Sequence, residues 1–312
     1  MTLFRNERGQ ATVLTVLSIT ALLGMAALVL DLGSWFQAQR ATQAAADAAA
    51  LAGAQAAPDE PATATALAAE YLGKNGGGAH TVTFSSKFVA NDTITVEVKR
   101  EAPGFFAKIF GIDSVQVGAR ATARASGMEQ ARWVAPITVN INHPALNCGS
   151  TNGKPDPCFG QPTELNLLNL HSPGSGDAAG AFGLINLDRG VSGAIGADDM
   201  ADWVSHGFAE NMPTGIYYSV PSAMFNDVKF KGALDFRMGD VLLFPIYKTL
   251  VESGSNAEYD VVGWVGFRVA SFQAGGNSGK VQGAFTEVIW EGVQSTTGAG
   301  MNYGVRTIQL VE

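Results

Sequence analysis

Twenty consecutive residues, Ala11 to Leu30, read ATVLTVLSITALLGMAALVL and carry no charge. At 1.5 Å per residue a helix of that length covers roughly 30 Å, the hydrocarbon thickness of a bilayer. Past Asp31 the chain continues to Ala57 without proline, in residue types that suit a helix apart from Gly33 and Gly53. The pattern therefore predicts one helix of some 45 residues, half in lipid and half outside, closed by Pro58 and Pro61. In its outer half Ala38, Ala41, Ala45, Ala48 and Ala52 step by 3, 4, 3 and 4 and form a small-residue seam for helix association. Arg40, Gln43 and Asp47 fall near the opposite face, which can stay wet. The seam suits packing on the chain's own domain or on another subunit.

A second helix is expected from Ala62 to Asn75, ended by Gly76-Gly77-Gly78. Period-two alternation at Thr81–Phe84 and Ile94–Val98, with Asn91-Asp92 at the turn, predicts two strands. A turn of helix at Phe105–Phe110 and a strand at Val115–Ala125 follow, giving a small α+β module whose sheet lays one face on the long helix. From Trp133 the pattern changes to short β runs separated by Gly, Pro, Asn and Ser. Strands are expected at Ile137–Ile141, Leu165–Leu170, Phe182–Leu187, Gly215–Tyr218, Val241–Tyr247, Tyr259–Ala270, Gly283–Ile289 and Val305–Val311, with a short helix at Asp198–His206. That set predicts a mainly-β domain, sandwich or barrel-like. The expected organisation is α+β overall: 1–57 membrane anchor and alanine-rich helix, 58–130 small α+β module, 131–312 acidic β-rich domain.

Charge sharpens this division. Only 15% of the 312 residues are charged, below the roughly 25% usual for soluble domains. Through Arg132 there are 11 Lys and Arg against 11 Asp and Glu, and beyond it 9 against 17, so the net −8 belongs to the C-terminal part. Such a surface repels phosphate backbones, which disfavours nucleic acid as a partner. Arg5 and Arg8 precede the apolar run, and the positive-inside bias then leaves the N-terminus in the cytoplasm and the rest extracytoplasmic. A cleaved signal peptide is the alternative, but the first small-residue site, Ala50-Leu51-Ala52, lies about twenty residues past the run, too far for signal cleavage.

The stretch Arg8-Gly9-Gln10, the hydrophobic run ending in Asp31-Leu32-Gly33, then Gln37-Ala38-Gln39-Arg40 and Ala46 to Ala54 resembles the N-terminal region of TadG-type proteins, pseudopilin-like members of the bacterial Tad (Flp) tight-adherence pilus systems. A second block, Ala102 to Ile112 followed by Val115-Gln116-Val117 and Ala119 to Ala123, resembles the family's short helix and following strand, so the likeness covers about residues 5 to 125. Two departures stand out. Pilins are cut after a Gly with Glu at the fifth residue beyond, whereas Leu14 is fifth after Gly9; and the Asp-x-Ser-x-Ser of von Willebrand A-type metal sites is missing from the sequence. The resemblance implies a pseudopilin-like module and a non-enzymatic, single-pass protein of the bacterial cell membrane. Its implied partners are the membrane and other Tad pilus proteins or pseudopilins, met through the N-terminal helix, and a homo-oligomer is a further association that the helix could serve.

Other residues invite chemistry. Cys148 and Cys158, in NCGSTNGKPDPCFG, are read as a disulfide, since neither CxxC nor paired His spacing supports a metal or redox site; loop closure would contribute about 2.5–3 kcal/mol. Gly276-Asn277-Ser278-Gly279, with His171 and His206 upstream, is similar to the nucleophile string of chymotrypsin-like proteases, but a Gly-rich hairpin explains it without chemistry. Asp188, Asp198, Asp199 and Asp202 lack calcium-loop spacing. Trp203, Tyr217, Tyr218, Trp264 and Trp290 could line a glycan-binding face or a core. The expectation is no catalytic residue, no cofactor and no metal. A surface adhesin or glycan-binding module on a pseudopilin-like anchor is the alternative, and an exported hydrolase using Ser278 the third reading.

Overall fold

The computed structural model describes residues 8–151, 154–167, 181–188, 195–251, 257–275, 278–296 and 303–311. It divides into two units, one running to Arg124 and taking in Leu310 and Val311, the other from Ala125 to Gln309. The whole is α+β: a long apolar helix followed by a mostly β region with several sheets.

The first unit is built on α1 (Arg8–Ala54), 47 residues of continuous helix and so roughly 70 Å long. A short turn leads to α2 (Pro61–Lys74), which starts on a proline and buries Ala64, Ala68 and Leu72 at helical spacing. Then come β1 (Ala79–Ser85), β2 (Thr93–Pro103) and β3 (Ser114–Ser126), an antiparallel meander in which Ile94, Val96 and Val98 of β2 stand opposite Ala123, Ala121 and Ala119 of β3. α1 packs on both α2 and β2. At the α1–α2 crossing Gly53 allows the contact: a Cβ there would lie 2.5 Å from Ile94 Cδ1 and 2.9 Å from the Ala64 carbonyl oxygen. The β1–β2 turn is tied by Asp92, whose buried carboxylate accepts from the amides of Lys87, Phe88 and Val89 at 2.6–3.0 Å and from the Thr93 hydroxyl at 2.8 Å. Burial alone would raise this carboxyl, and the donors more than offset it, holding it below its ordinary 3.8.

The second unit begins with β4 (Met128–Ala131) and β5 (Ile137–Asn140), then a two-stranded ribbon of β6 (Gly149–Thr151) and β7 (Lys154–Asp156), followed by β8 (Thr163–Leu167) and β9 (Ala181–Leu184). α3 (Ala197–Ser205), β10 (Met212–Pro213), β11 (Gly215–Tyr218) and α4 (Val228–Phe236) precede the long strands β12 (Val241–Val251), β13 (Glu258–Gly275) and β14 (Ser278–Thr286). The short β15 (Val288–Ile289), β16 (Gly292–Gln294) and β17 (Val305–Leu310) complete it, β15 pairing in parallel with β17. The main sheet runs β11-β13-β12-β5-β9-β8-β14, and β14 pairs again with β13, so six of its strands close into a barrel. Closure relies on the length of β13: its Gly266 to Arg268 segment faces β12 on one side and β14 on the other. It also relies on Gly283, where a Cβ would overlap the Arg268 carbonyl oxygen and the Phe267 ring.

Alternation along these strands sorts side chains into two cores. Leu242, Phe244 and Ile246 of β12 join Phe182, Phe267 and Phe285 in one cluster, which also takes Met200 and Val204 of α3 and Phe230 and Leu234 of α4. The alternate residues Leu243 and Tyr247 join Tyr259, Trp264, Met128 and Met212 in another. All eight expected strands have a counterpart, although residues 168–170 of the Leu165–Leu170 expectation lie outside the described residues. Sequence patterning overlooked α4, whose start is capped by Asp227 accepting from the Lys229 amide at 2.8 Å, and the short β4, β10 and β16, which form their own three-stranded sheet.

Cys148 and Cys158 flank the β6–β7 ribbon and are joined by a disulfide, Cα atoms 5.6 Å apart. The ribbon is moored to the barrel beside His143, a buried residue whose Nδ1 accepts from the Ala145 amide at 3.1 Å and whose ring meets Phe285 edge-on at 5.5 Å. The Cys158 amide in turn donates to the Ala145 carbonyl at 2.8 Å. Burial holds the His143 imidazole below its ordinary 6.5. Below that pH the unfolded chain takes up a proton that the folded chain refuses, so stability falls as pH falls from neutral toward the folded value. Thermal melts of the detergent-solubilised chain should therefore show a midpoint that drops between pH 7 and pH 5 and is flatter in His143→Gln. An equal drop in wild type and variant would contradict this.

Candidate functional site at the apolar end of the long helix

Between Ala11 and Leu30 every side chain except Ala27 is exposed, including Val13, Leu14, Leu17, Leu22 and Leu23, each well over half exposed. The segment is long and apolar enough to cross a membrane. An apolar surface of this extent calls for a solvent other than water. Asp31 ends the segment. It is 3% exposed, and its carboxylate accepts from the backbone amides of Phe105 and Phe106 at 2.8–3.2 Å and of Ala107 at 2.5 Å. Those amides open the single 3-10 turn Ala107–Phe110 between β2 and β3, where no intrahelical acceptor reaches them. A carboxylate satisfies three such donors at once, and a charged acceptor makes the stronger kind of hydrogen bond.

Farther along α1 the same face continues to engage the meander. Trp35 Nε1 donates to the Pro103 carbonyl at 3.1 Å, Gln39 Nε2 to the Gly118 carbonyl, and Gln43 Nε2 to the Arg120 carbonyl at 2.9 Å and to Asp47 at 2.8 Å. The buried positions are Thr42, Ala45, Ala46, Ala49, Ala50 and Ala52 to Ala54. Of the seam read from sequence, Ala45 and Ala52 are buried, Ala38 and Ala48 half-buried, and Ala41 exposed. Gln43, expected on a wet face, is instead half-buried and hydrogen-bonded to β3, because an amide side chain can cap sheet carbonyls that alanine cannot reach. The exposed face beyond the apolar segment carries Leu32, Gly33, Phe36, Gln37, Arg40, Ala41 and Ala44, with the Arg40 guanidinium 4.7 Å over the Phe36 ring.

The other candidates are dispersed. Ser278 opens β14, with Gly275 and Ser278 paired across a hairpin; Gly276, Asn277 and His171 lie outside the described residues. His206 is exposed on α3's end and bonds Asp202 at 2.8 Å, four residues back. Asp198 pairs with Lys229, and among the described residues no three His, Cys, Asp or Glu side chains converge. Tyr217 and Trp264 are buried in the core, Trp203 and Trp290 pack partly against it, and Tyr218 is half-buried on β11, so most of these aromatics serve the core. An open groove of about 600 Å³ lies over β8, β13 and β14, but its charged groups are already engaged, Glu164 with Lys280 and Gln282, and Arg268 with the Gly239 carbonyl.

Residues 9–56 match the model of the Tad family, TadE/G-like Flp pilus-assembly proteins. The match falls on α1, both the apolar segment and the part that carries the module, so the N-terminal region is Tad-like and supports a role in Flp pilus assembly. No curated protein and no solved structure matches the chain.

If Asp31 fastens the 105–107 turn, Asp31→Ala should raise hydrogen exchange at the Phe105, Phe106 and Ala107 amides on the order of tenfold or more, while leaving the β12 and β13 amides unchanged. Unaltered exchange at those three amides would show that the carboxylate is dispensable.

Proposed function

We propose that the chain is a non-enzymatic, pseudopilin-like structural component of a bacterial Tad pilus-assembly system. It would cross the cell membrane once, N-terminus in the cytoplasm, with both folded units extracytoplasmic. The observation that carries the reading is the coincidence of the family match with α1, one helix that offers a bilayer-length apolar segment at one end and a scaffold for a folded module at the other. Arg5 and Arg8 ahead of the apolar segment support the orientation. An oxidised Cys148–Cys158 pair agrees with an extracytoplasmic compartment. In this role the chain brings pilus components together through the exposed face of α1, where Gly33, Ala41 and Ala44 permit close approach of another helix while the buried stripe serves the chain's own sheet.

Ala41→Leu with Ala44→Leu should then leave the protein stable and membrane-bound, resistant to carbonate extraction, yet reduce piliation and recovery of other Tad proteins with it from solubilised envelopes. Piliation unchanged by deletion of the whole gene would refute the role. Release of the wild type by carbonate would refute the anchor.

A further inference from the structure

The tip of the β2–β3 meander is apolar where a water-exposed loop should be polar. Phe110 is 83% exposed and Ile109 78%, with Phe105, Phe106 and Ile112 also exposed, and only Ala107 among the tip's apolar side chains is buried. The loop is not a loose one. Gly104 N–H donates to the Asp113 carbonyl at 2.9 Å, Ile109 to Phe106 at 3.0 Å, Gly111 to Lys108 at 3.0 Å and Ile112 to Ala107 at 3.1 Å. Five large apolar side chains are thus held outward on a hydrogen-bonded frame, an arrangement that needs an apolar partner.

Contacts with α1 locate the tip along the helix. Gln43 meets Arg120, Gln39 meets Gly118, Trp35 meets Pro103 and Asp31 meets Phe105 to Ala107, so each step along α1 toward the apolar segment meets the meander nearer its tip. The tip therefore lies beside Asp31, at the level where the charge-free run Ala11–Leu30 ends. The apolar surface of the segment and that of the tip are continuous in level, and Lys108 supplies one exposed cation between the phenylalanines and isoleucines.

We propose that the tip, Phe105 to Ile112, inserts into the phospholipid bilayer that α1 crosses, at the headgroup–acyl boundary of the leaflet from which α1 emerges. The inference rests on the reading of α1 as a membrane span. Phe105, Phe106, Ile109, Phe110 and Ile112 enter to a depth of about 5–10 Å, as the apolar faces of interfacial helices do. Lys108 extends along this surface to reach lipid phosphates. The span and the tip then hold the first unit to the membrane at two points, which fixes its orientation about the α1 axis.

The test uses the full chain in nanodiscs of phosphatidylcholine and phosphatidylglycerol. Because the native cysteines are joined to each other, a thiol introduced by Phe110→Cys or, separately, Ile109→Cys is labelled with an environment-sensitive nitrobenzoxadiazole dye. Leu22→Cys marks the span and Glu70→Cys marks water. The expected result is blue-shifted emission from positions 109 and 110, quenching by lipids spin-labelled near the headgroup, and iodide quenching several-fold weaker than at position 70. Water-like emission with full iodide quenching at 109 and 110, while position 22 is quenched by lipid, would overturn the tip proposal alone. Blue-shifted emission that no spin-labelled lipid quenches would also overturn it, since the tip would then be covered by protein. Failure of lipid to quench position 22 would overturn the span reading and the tip with it.

Discussion

A carboxylate at the end of an apolar helix has few good options: it can face water, or it can be buried against donors. Asp31 takes the second, accepting from three successive backbone amides of a turn more than seventy residues away in sequence. Those amides have no partner in their own short turn, so removing the carboxylate would leave three donors without an acceptor. The rest of the first unit depends on this junction. It sets which residue of the meander lies at the end of the apolar segment, and the contacts of Trp35, Gln39 and Gln43 continue the same register up the helix.

Small residues make that register possible. The small residues are on the helix side: the buried positions Thr42, Ala45, Ala46, Ala49, Ala50 and Gly53 of α1 let β2 bring up Ile94, Val96 and Val98, and a Cβ at Gly53 would overlap Ile94. Little apolar area is buried per residue in such packing, so directional hydrogen bonds matter more than they would in a leucine-rich core. The second unit solves the opposite problem. Its phenylalanine-rich cluster supplies area in abundance, and glycine serves at close approaches: Gly283 where β13 and β14 meet to close the barrel, Gly183 against the Tyr259 ring and Gly292 against the Gln130 carbonyl.

Much of this was legible in the amino-acid order. The apolar run, the alanine helix and the alternating strands follow from period and composition, which local sterics and burial impose directly. Asn91-Asp92 marked a turn, but not that Asp92 would gather three amides; Asp31 marked the end of a run, but not its partner, because pairings across long stretches of chain leave no local pattern. The seam of every third and fourth alanine was visible, yet its rotation was not: alanines surround α1, and only the positions of Gln39 and Gln43 against β3 carbonyls select the face. α4 escaped because nine residues with Phe230, Ala233 and Leu234 inward give a weak signal, although Asp227 as a cap followed by that spacing would have found it.

Both the anchor and the placement of the module require α1 to be one uninterrupted helix, lipid-facing to Leu30 and module-bearing from Asp31. Spin labels placed singly along residues 12 to 52 of the chain in bilayers, read by their collision with oxygen and with a water-soluble nickel chelate, follow the helix through both environments. High oxygen and low nickel accessibility are expected at every position to residue 30. Beyond that a 3.6-residue oscillation with minima at 42, 46 and 49 is expected. Nickel accessibility within residues 12 to 30, or loss of the helical period at residue 31, would contradict it.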